Sequence, residues 1–180
     1  MLHSSDIVSS YVLMEDVLPL EASLWVGEAV GRTVDQLDCQ FEGAVRADDV
    51  FLPVIRVNGL VYHHTPTTDR ANSIMQTGFS LAHRLNGRAF GDGVYACRTE
   101  EAARAWGKGA ILQIGLFDVI LLDSSAGNAY ARLAPLRQYG ASLESVLATA
   151  GIQGVLCSWG VVIYDPPAAV PLGHIAVGSS

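Results

Sequence analysis

Apolar positions recur along this chain in two periods, and the switches between them mark its elements. From Pro19 to about Phe41, Ala22, Trp25, Val26, Ala29, Val30, Val34, Leu37 and Phe41 fall at helical intervals, with proline in the first turn. This predicts one amphipathic packing helix, weakened by Gly27 and Gly31 at about 1 kcal/mol each relative to alanine. Val54–Val57 and Leu60–His63 flank Asn58-Gly59, the dipeptide of a tight hairpin turn, so His63 is expected at the end of a strand. Asp69 is placed to cap a short helix with Ala71, Ile74 and Met75 on one face and Gly78 as its stop. A loop from Ser80 to Arg88 leads to the strand Val94–Cys97. Thr99 then caps a helix that carries Glu100 and Glu101 at its positive end and Trp106 in its last turn, and that stops at Gly107. Ala110–Leu122 reads as one or two buried strands. A further helix bears Leu143, Val146, Leu147 and Ala150 and ends at Gly151, and Gly154–Val177 reads as two or three strands punctuated by Asp165-Pro166-Pro167. Strands and short helices alternate irregularly, which predicts an α+β fold rather than a doubly wound parallel sheet.

With 180 residues, half of them apolar, the chain has enough material for one core, so 1–180 is expected to be a single domain with 1–50 as an N-terminal helical extension. A net charge of -7 repels phosphate backbones on average and argues against nucleic acid as a partner, while leaving room for small anionic ligands. The three cysteines, Cys39, Cys97 and Cys157, show no paired spacing, and neither a disulfide framework nor a four-ligand zinc site follows. His64, with His3, His83 and His174 elsewhere, has no ligand spacing either, so no metal is expected. Asp6, Glu15 and Asp16 without any Lys or Arg in the first twenty residues are the wrong start for a secretory signal, and no apolar run approaches the roughly 18 residues of a membrane span. A soluble, cytoplasmic protein is the expectation, although delivery by a specialised secretion system would leave no such mark.

Three stretches carry candidate chemistry: Val61-Tyr62-His63-His64-Thr65, Phe90-Gly91-Asp92-Gly93-Val94-Tyr95, and Trp106. In order and spacing they resemble the signature strands of the poly(ADP-ribose) polymerase-like ADP-ribosyltransferases. The resemblance covers Leu60 to roughly Phe117, with Ile74-Met75 and Gly78-Phe79 between the motifs, and extends to Val155–Val177. It implies a split antiparallel β-sheet core with flanking helices, NAD+ as substrate and no metal. Breaking the bond between nicotinamide and ribose leaves an oxocarbenium-like sugar, so the site has to hold a flat carboxamide ring and orient the ribose. By the resemblance, His63 bonds a ribose hydroxyl, the backbone of His64 holds the carboxamide, and Thr65 matches the Ser/Thr of that motif. Gly91 and Gly93 bring backbone close to the ligand, and Tyr95 stacks on the nicotinamide with Trp106 closing the other side. His63 and Tyr95 are then the catalytic pair. Arg84 and Arg88, by their loop position, are favoured over Arg56 and Arg70 for the diphosphate.

Three departures modify the picture. His64 stands in place of the family glycine, and Ala103 replaces a serine that bonds the carboxamide, at about 0.5–1.5 kcal/mol of binding. In Val162-Ile163-Tyr164-Asp165-Pro166, counting back from Tyr164 puts Gly160 at the third triad position, where the family has its catalytic glutamate. Chain elongation is therefore not expected, and Glu144 and Asp165, the stand-ins considered, do not fit the register. The leading expectation is mono-ADP-ribosyl transfer to a protein or small-molecule acceptor with release of nicotinamide. A catalytically inactive NAD+-binding homologue and an RNA 2'-phosphotransferase are the alternatives. Acidic charge and the lack of an arginine in the first motif argue against the last.

Overall fold

A computed structural model describes residues 11–13, 32–47, 50–82, 90–124 and 143–178. They form nine strands, β1 (Tyr11–Leu13), β2 (Arg32–Val34), β3 (Leu37–Ala47), β4 (Val50–Thr65), β5 (Val94–Cys97), β6 (Gly109–Asp123), β7 (Gly154–Leu156), β8 (Gly160–Ile163) and β9 (Val170–Val177). Three helices accompany them, α1 (Thr68–Thr77), α2 (Glu100–Arg104) and α3 (Leu143–Thr149), with a 3-10 turn at Pro166–Ala168. The protein is α+β and dominated by its sheet. Among the described residues no helix is long and apolar enough to cross a membrane.

The spine is the antiparallel pair β4 and β6, in register from Val54 opposite Leu122 to Thr65 opposite Ala110. Each strand is long enough to take two different neighbours along its outer edge. β4 carries β3 along Val50–Gly59 and then β5, at the single ladder pair Tyr62 and Cys97. β6 carries β9 along Gly109–Gly115 and β7 along Leu121–Asp123. β8 lies between β5 and β7, so the pairing closes on itself through β4, β5, β8, β7 and β6. The β6–β7 pair is parallel, so the sheet is mixed and not antiparallel throughout.

Alternation along these strands separates the two larger apolar clusters. Val57, Val61, Val94, Ala96, Ile114, Leu116, Leu121, Leu156, Val161 and Ile163 share one cluster, to which all five strands of the closed circuit contribute. Burying each of the larger of these side chains contributes roughly 1.5–3 kcal/mol. Val54, Leu122, Val155, Val162 and Tyr164 belong to the other cluster, which Leu147 of α3 also joins. Tyr95, between Val94 and Ala96, therefore packs with the second cluster while its neighbours pack with the first.

Four expectations are corrected. The helix read over Pro19–Phe41, and with it the helical character of 1–50, does not hold for residues 32–47, which are β2 and β3; residues 14–31 lie outside the described residues. Leu37 and Cys39 are buried and Asp38 and Gln40 exposed, a period of two that sheet pairing realises. The hairpin turn at Asn58-Gly59 is absent as well, because β4 runs straight through it. Ladder partners on both sides of β4 override the local turn preference, and Asn58 sits opposite a bulge in β6. Its side chain accepts from the Asp118 N–H at 2.9 Å and donates to Asp118 Oδ1 at 3.1 Å. The cap of α1 is Thr67 rather than Asp69, its hydroxyl accepting from the Arg70 N–H. Helix α2 ends at Arg104, leaving Trp106 in the turn beyond it.

Gly59 has φ 141°, and a Cβ there would lie 2.0 Å from the carbonyl oxygen of Gln36 in the β2–β3 turn. Gly59→Ala is expected to destabilise the fold by about 1–3 kcal/mol, read as a lower urea midpoint at unchanged slope.

Candidate functional site

Past Tyr62 and Cys97, β4 continues alongside β6 while β5 continues alongside β8, and a cleft opens between them. The cavity there has a volume of about 1640 Å³, and His63, His64, Arg70, Tyr95, Trp106 and Trp159 are among the residues that line it. Small-molecule sites usually occupy roughly 300–1,000 Å³, so this one admits an extended ligand.

His63 spans the cleft. Its Nδ1 lies 2.6 Å from the carbonyl oxygen of Tyr95, which can only accept, so Nδ1 carries the proton and donates it. In the neutral ring Nε2 is then a bare acceptor. Burial is the largest influence on this ring and lowers its pKa below the ordinary 6.5. The bond to Tyr95 opposes that effect, and the charges of His64 and Arg70 add to it. Phe79, just past the C-cap of α1, sets its ring edge-on to the imidazole at 5.3 Å and fixes its plane. His64 also lines the cavity, with Nε2 2.9 Å from the carbonyl oxygen of Lys108, to which it donates.

Tyr95 is held at both ends. Its hydroxyl donates to the Gly91 carbonyl at 2.8 Å and accepts from the Phe90 N–H at 3.2 Å, while its ring packs with the cluster that contains Val162 and Tyr164. Burial raises the phenol pKa, with the Phe90 N–H opposing and the charges of Cys157, Asp92 and Glu144 adding, so the group stays a neutral donor. The ring that stacks on it is Trp159, not Trp106: the planes of Tyr95 and Trp159 lie 4° from parallel with centroids 5.8 Å apart. Trp106 shares the cavity and is 70% exposed.

The remaining expected residues divide. Gly93 lines the cavity, but a Cβ there would meet the Val162 side chain at 2.7 Å, so its crowding comes from the protein itself. Gly91 is likewise crowded by Glu144, whose Oε2 would lie 2.2 Å from an added Cβ. Thr65 is fully buried, its hydroxyl directed at the carbonyls of Thr67 and Ala110, and Ala103 is fully buried against Tyr62, Cys97 and Ile111. Neither is among the residues lining the cavity, and both serve packing. Arg84 and Arg88 lie outside the described residues. Arg56 is engaged by Glu42 at 2.7 Å, across the bulge that sets Glu42 apart in β3, and is not a cavity residue; Arg70 is one.

Gly160 starts β8 opposite Cys97, and a Cβ there would lie 2.0 Å from the carbonyl oxygen of Ala96. No side chain fits at that point without moving β5. Asp165 accepts from Gln153 at 3.1 Å and is not a cavity residue. Neither a protein-family model, nor a curated protein, nor a solved structure matches this chain.

Sequence reasoning missed Trp159 and Asp92, both of which line the cavity. Asp92 is the variable residue of the Gly-x-Gly stretch. Trp159 sits at the tip of the tight turn between β7 and β8, fastened by a 2.7 Å bond from the Cys157 N–H to the Gly160 carbonyl. A large aromatic at a turn tip, one residue before Gly160, was the available signal.

The depressed pKa of His63 has a consequence for stability. The unfolded chain takes up this proton near pH 6.5 and the folded chain at lower pH, so the contribution is complete above 6.5 and is lost as the pH falls below it. In His63→Gln the urea midpoint is expected to fall less between about pH 7 and about pH 5 than in the unmodified protein, measured by denaturant titration at each pH.

Proposed function

We propose that this chain transfers a single ADP-ribose from NAD+ to a protein or small-molecule acceptor and releases nicotinamide. The observation that carries the reading is a neutral imidazole, locked by the Tyr95 carbonyl with Nε2 bare, sharing one cavity with the aromatic side chains of Tyr95, Trp106 and Trp159. A bare Nε2 accepts from a ribose hydroxyl and holds the sugar beside the ring that leaves. From His63 to Thr65 the edge of β4 away from β6 has no strand partner among the described residues, so backbone N–H and C=O groups there are suited to a primary carboxamide. Arg70, a cationic residue of the cavity lining, suits the diphosphate. The parting of β4 and β5 supports the split-sheet fold that the resemblance to ADP-ribosyltransferases implies.

In the reaction the glycosidic C–N bond breaks, nicotinamide leaves with the electron pair, and an acceptor nucleophile attacks the oxocarbenium-like carbon. Among the described residues the carboxylate lining the cavity is Asp92. With Gly160 unable to carry an acid, the site suits one transfer rather than elongation of a chain.

Incubation with NAD+ labelled in its adenosine is expected to yield a labelled adduct and free nicotinamide. Production of neither would overturn the reading. His63→Ala and Tyr95→Ala should each lower the rate about a hundredfold or more while thermal unfolding stays cooperative. The lack of room at Gly160 favours a second reading, binding without turnover, which calorimetric NAD+ binding with no nicotinamide release would identify. Gly160→Glu is expected to lower the melting temperature and leave transfer activity no higher, since the new side chain has to displace β5 rather than reach ligand.

A further inference from the structure

We propose that Trp159 is the gatekeeping residue of this site: its indole occupies the face of Tyr95 on which a flat ligand ring would lie, and only a ligand able to replace that stack enters. The inference rests on the reading of the cavity as a slot for a pyridine carboxamide. Two parallel rings that sandwich a third need centroids at least about 7 Å apart, twice the contact distance of carbon atoms. Tyr95 and Trp159 are parallel within 4° at 5.8 Å, so they touch each other by offset stacking and no ring fits between them.

Tyr95 cannot turn to offer another face. Its hydroxyl is tied to Gly91 and Phe90, and its ring packs with the cluster of Val162 and Tyr164. Trp159 is the partner that can yield. Its backbone is fastened in the turn, but the side chain is 40% exposed and meets Phe90 only at a tilt of 52° and 6.4 Å. Rotamer changes of such exposed side chains are fast compared with binding. The closed stack taxes every ligand that needs the Tyr95 face and leaves other ligands untouched, which makes Trp159 a determinant of specificity.

The test is calorimetric titration of nicotinamide into the unmodified protein, Trp159→Ala, Trp159→Phe and Tyr95→Ala, each checked for cooperative thermal unfolding. Removing the competing indole should tighten nicotinamide binding about two- to tenfold in Trp159→Ala. Trp159→Phe, with a smaller ring, should fall between, and it carries the test alone if the alanine variant does not fold. Binding lost in Tyr95→Ala but unchanged or weakened in both Trp159 variants would make the indole a wall rather than a gate and overturn the inference alone. Absence of binding to all four proteins would overturn the carboxamide-slot reading and the gate with it.

Discussion

One hydrogen bond, from the imidazole of His63 to the carbonyl of Tyr95, joins two strands that share a single ladder pair. A typical bond of this kind contributes about 0.5–1.5 kcal/mol net, while a buried carbonyl left without a donor costs about 1–3 kcal/mol. The carbonyl admits just one tautomer of the ring, and burial keeps that ring neutral. Structural and chemical demands thus fall on different nitrogens of one side chain. The same bond couples strand spacing at the cleft to the direction in which Nε2 faces, so the mouth of the cavity and its proposed ribose acceptor are set together.

The surroundings of Tyr95 are built from backbone. Glycines at 91, 93 and 160 allow a carboxylate, a neighbouring strand and a carbonyl to come within distances that a methyl group would forbid. The Glu144 carboxylate fills the space at Gly91, whose carbonyl receives the phenol proton. Here close approach serves protein packing, and the aromatic ring is positioned by α3 as well as by its own strand.

Much of the architecture was legible because local chemistry and tertiary structure agreed. Thr99 caps α2 as its position before two glutamates foretold, and the apolar run from Ala110 became one uninterrupted strand. Three strands occupy Gly154–Val177, and Asp165-Pro166-Pro167 separates the last of them from the other two. Legibility failed where two signals competed. Val34, Leu37 and Phe41 fit a helical period, yet Leu37, Cys39 and Phe41 fit a strand, and only pairing with β4 decides between them. Asn58-Gly59 looks like a turn until partners on both edges hold the chain straight. At the site, motif spacing brought His63, His64, Tyr95 and Trp106 to one cavity. It could not foresee that Trp159, distant in sequence, lies on Tyr95, nor that Ala103 and Thr65 point into packing. The position of Trp159 depends on how β8 registers against β5, which no local pattern encodes.

That register also orders events during folding. β5 meets β4 at one pair, and its full ladder partner is β8, which follows it in the chain by more than sixty residues. Until β8 arrives, nothing brings Trp159 beside Tyr95, however early the first half of the chain has collapsed. Closing so long a loop favours slow assembly. The pocket therefore takes its shape only once β8 has paired with β5, and a nascent chain carries its aromatic residues unassembled until the ribosome has delivered that strand.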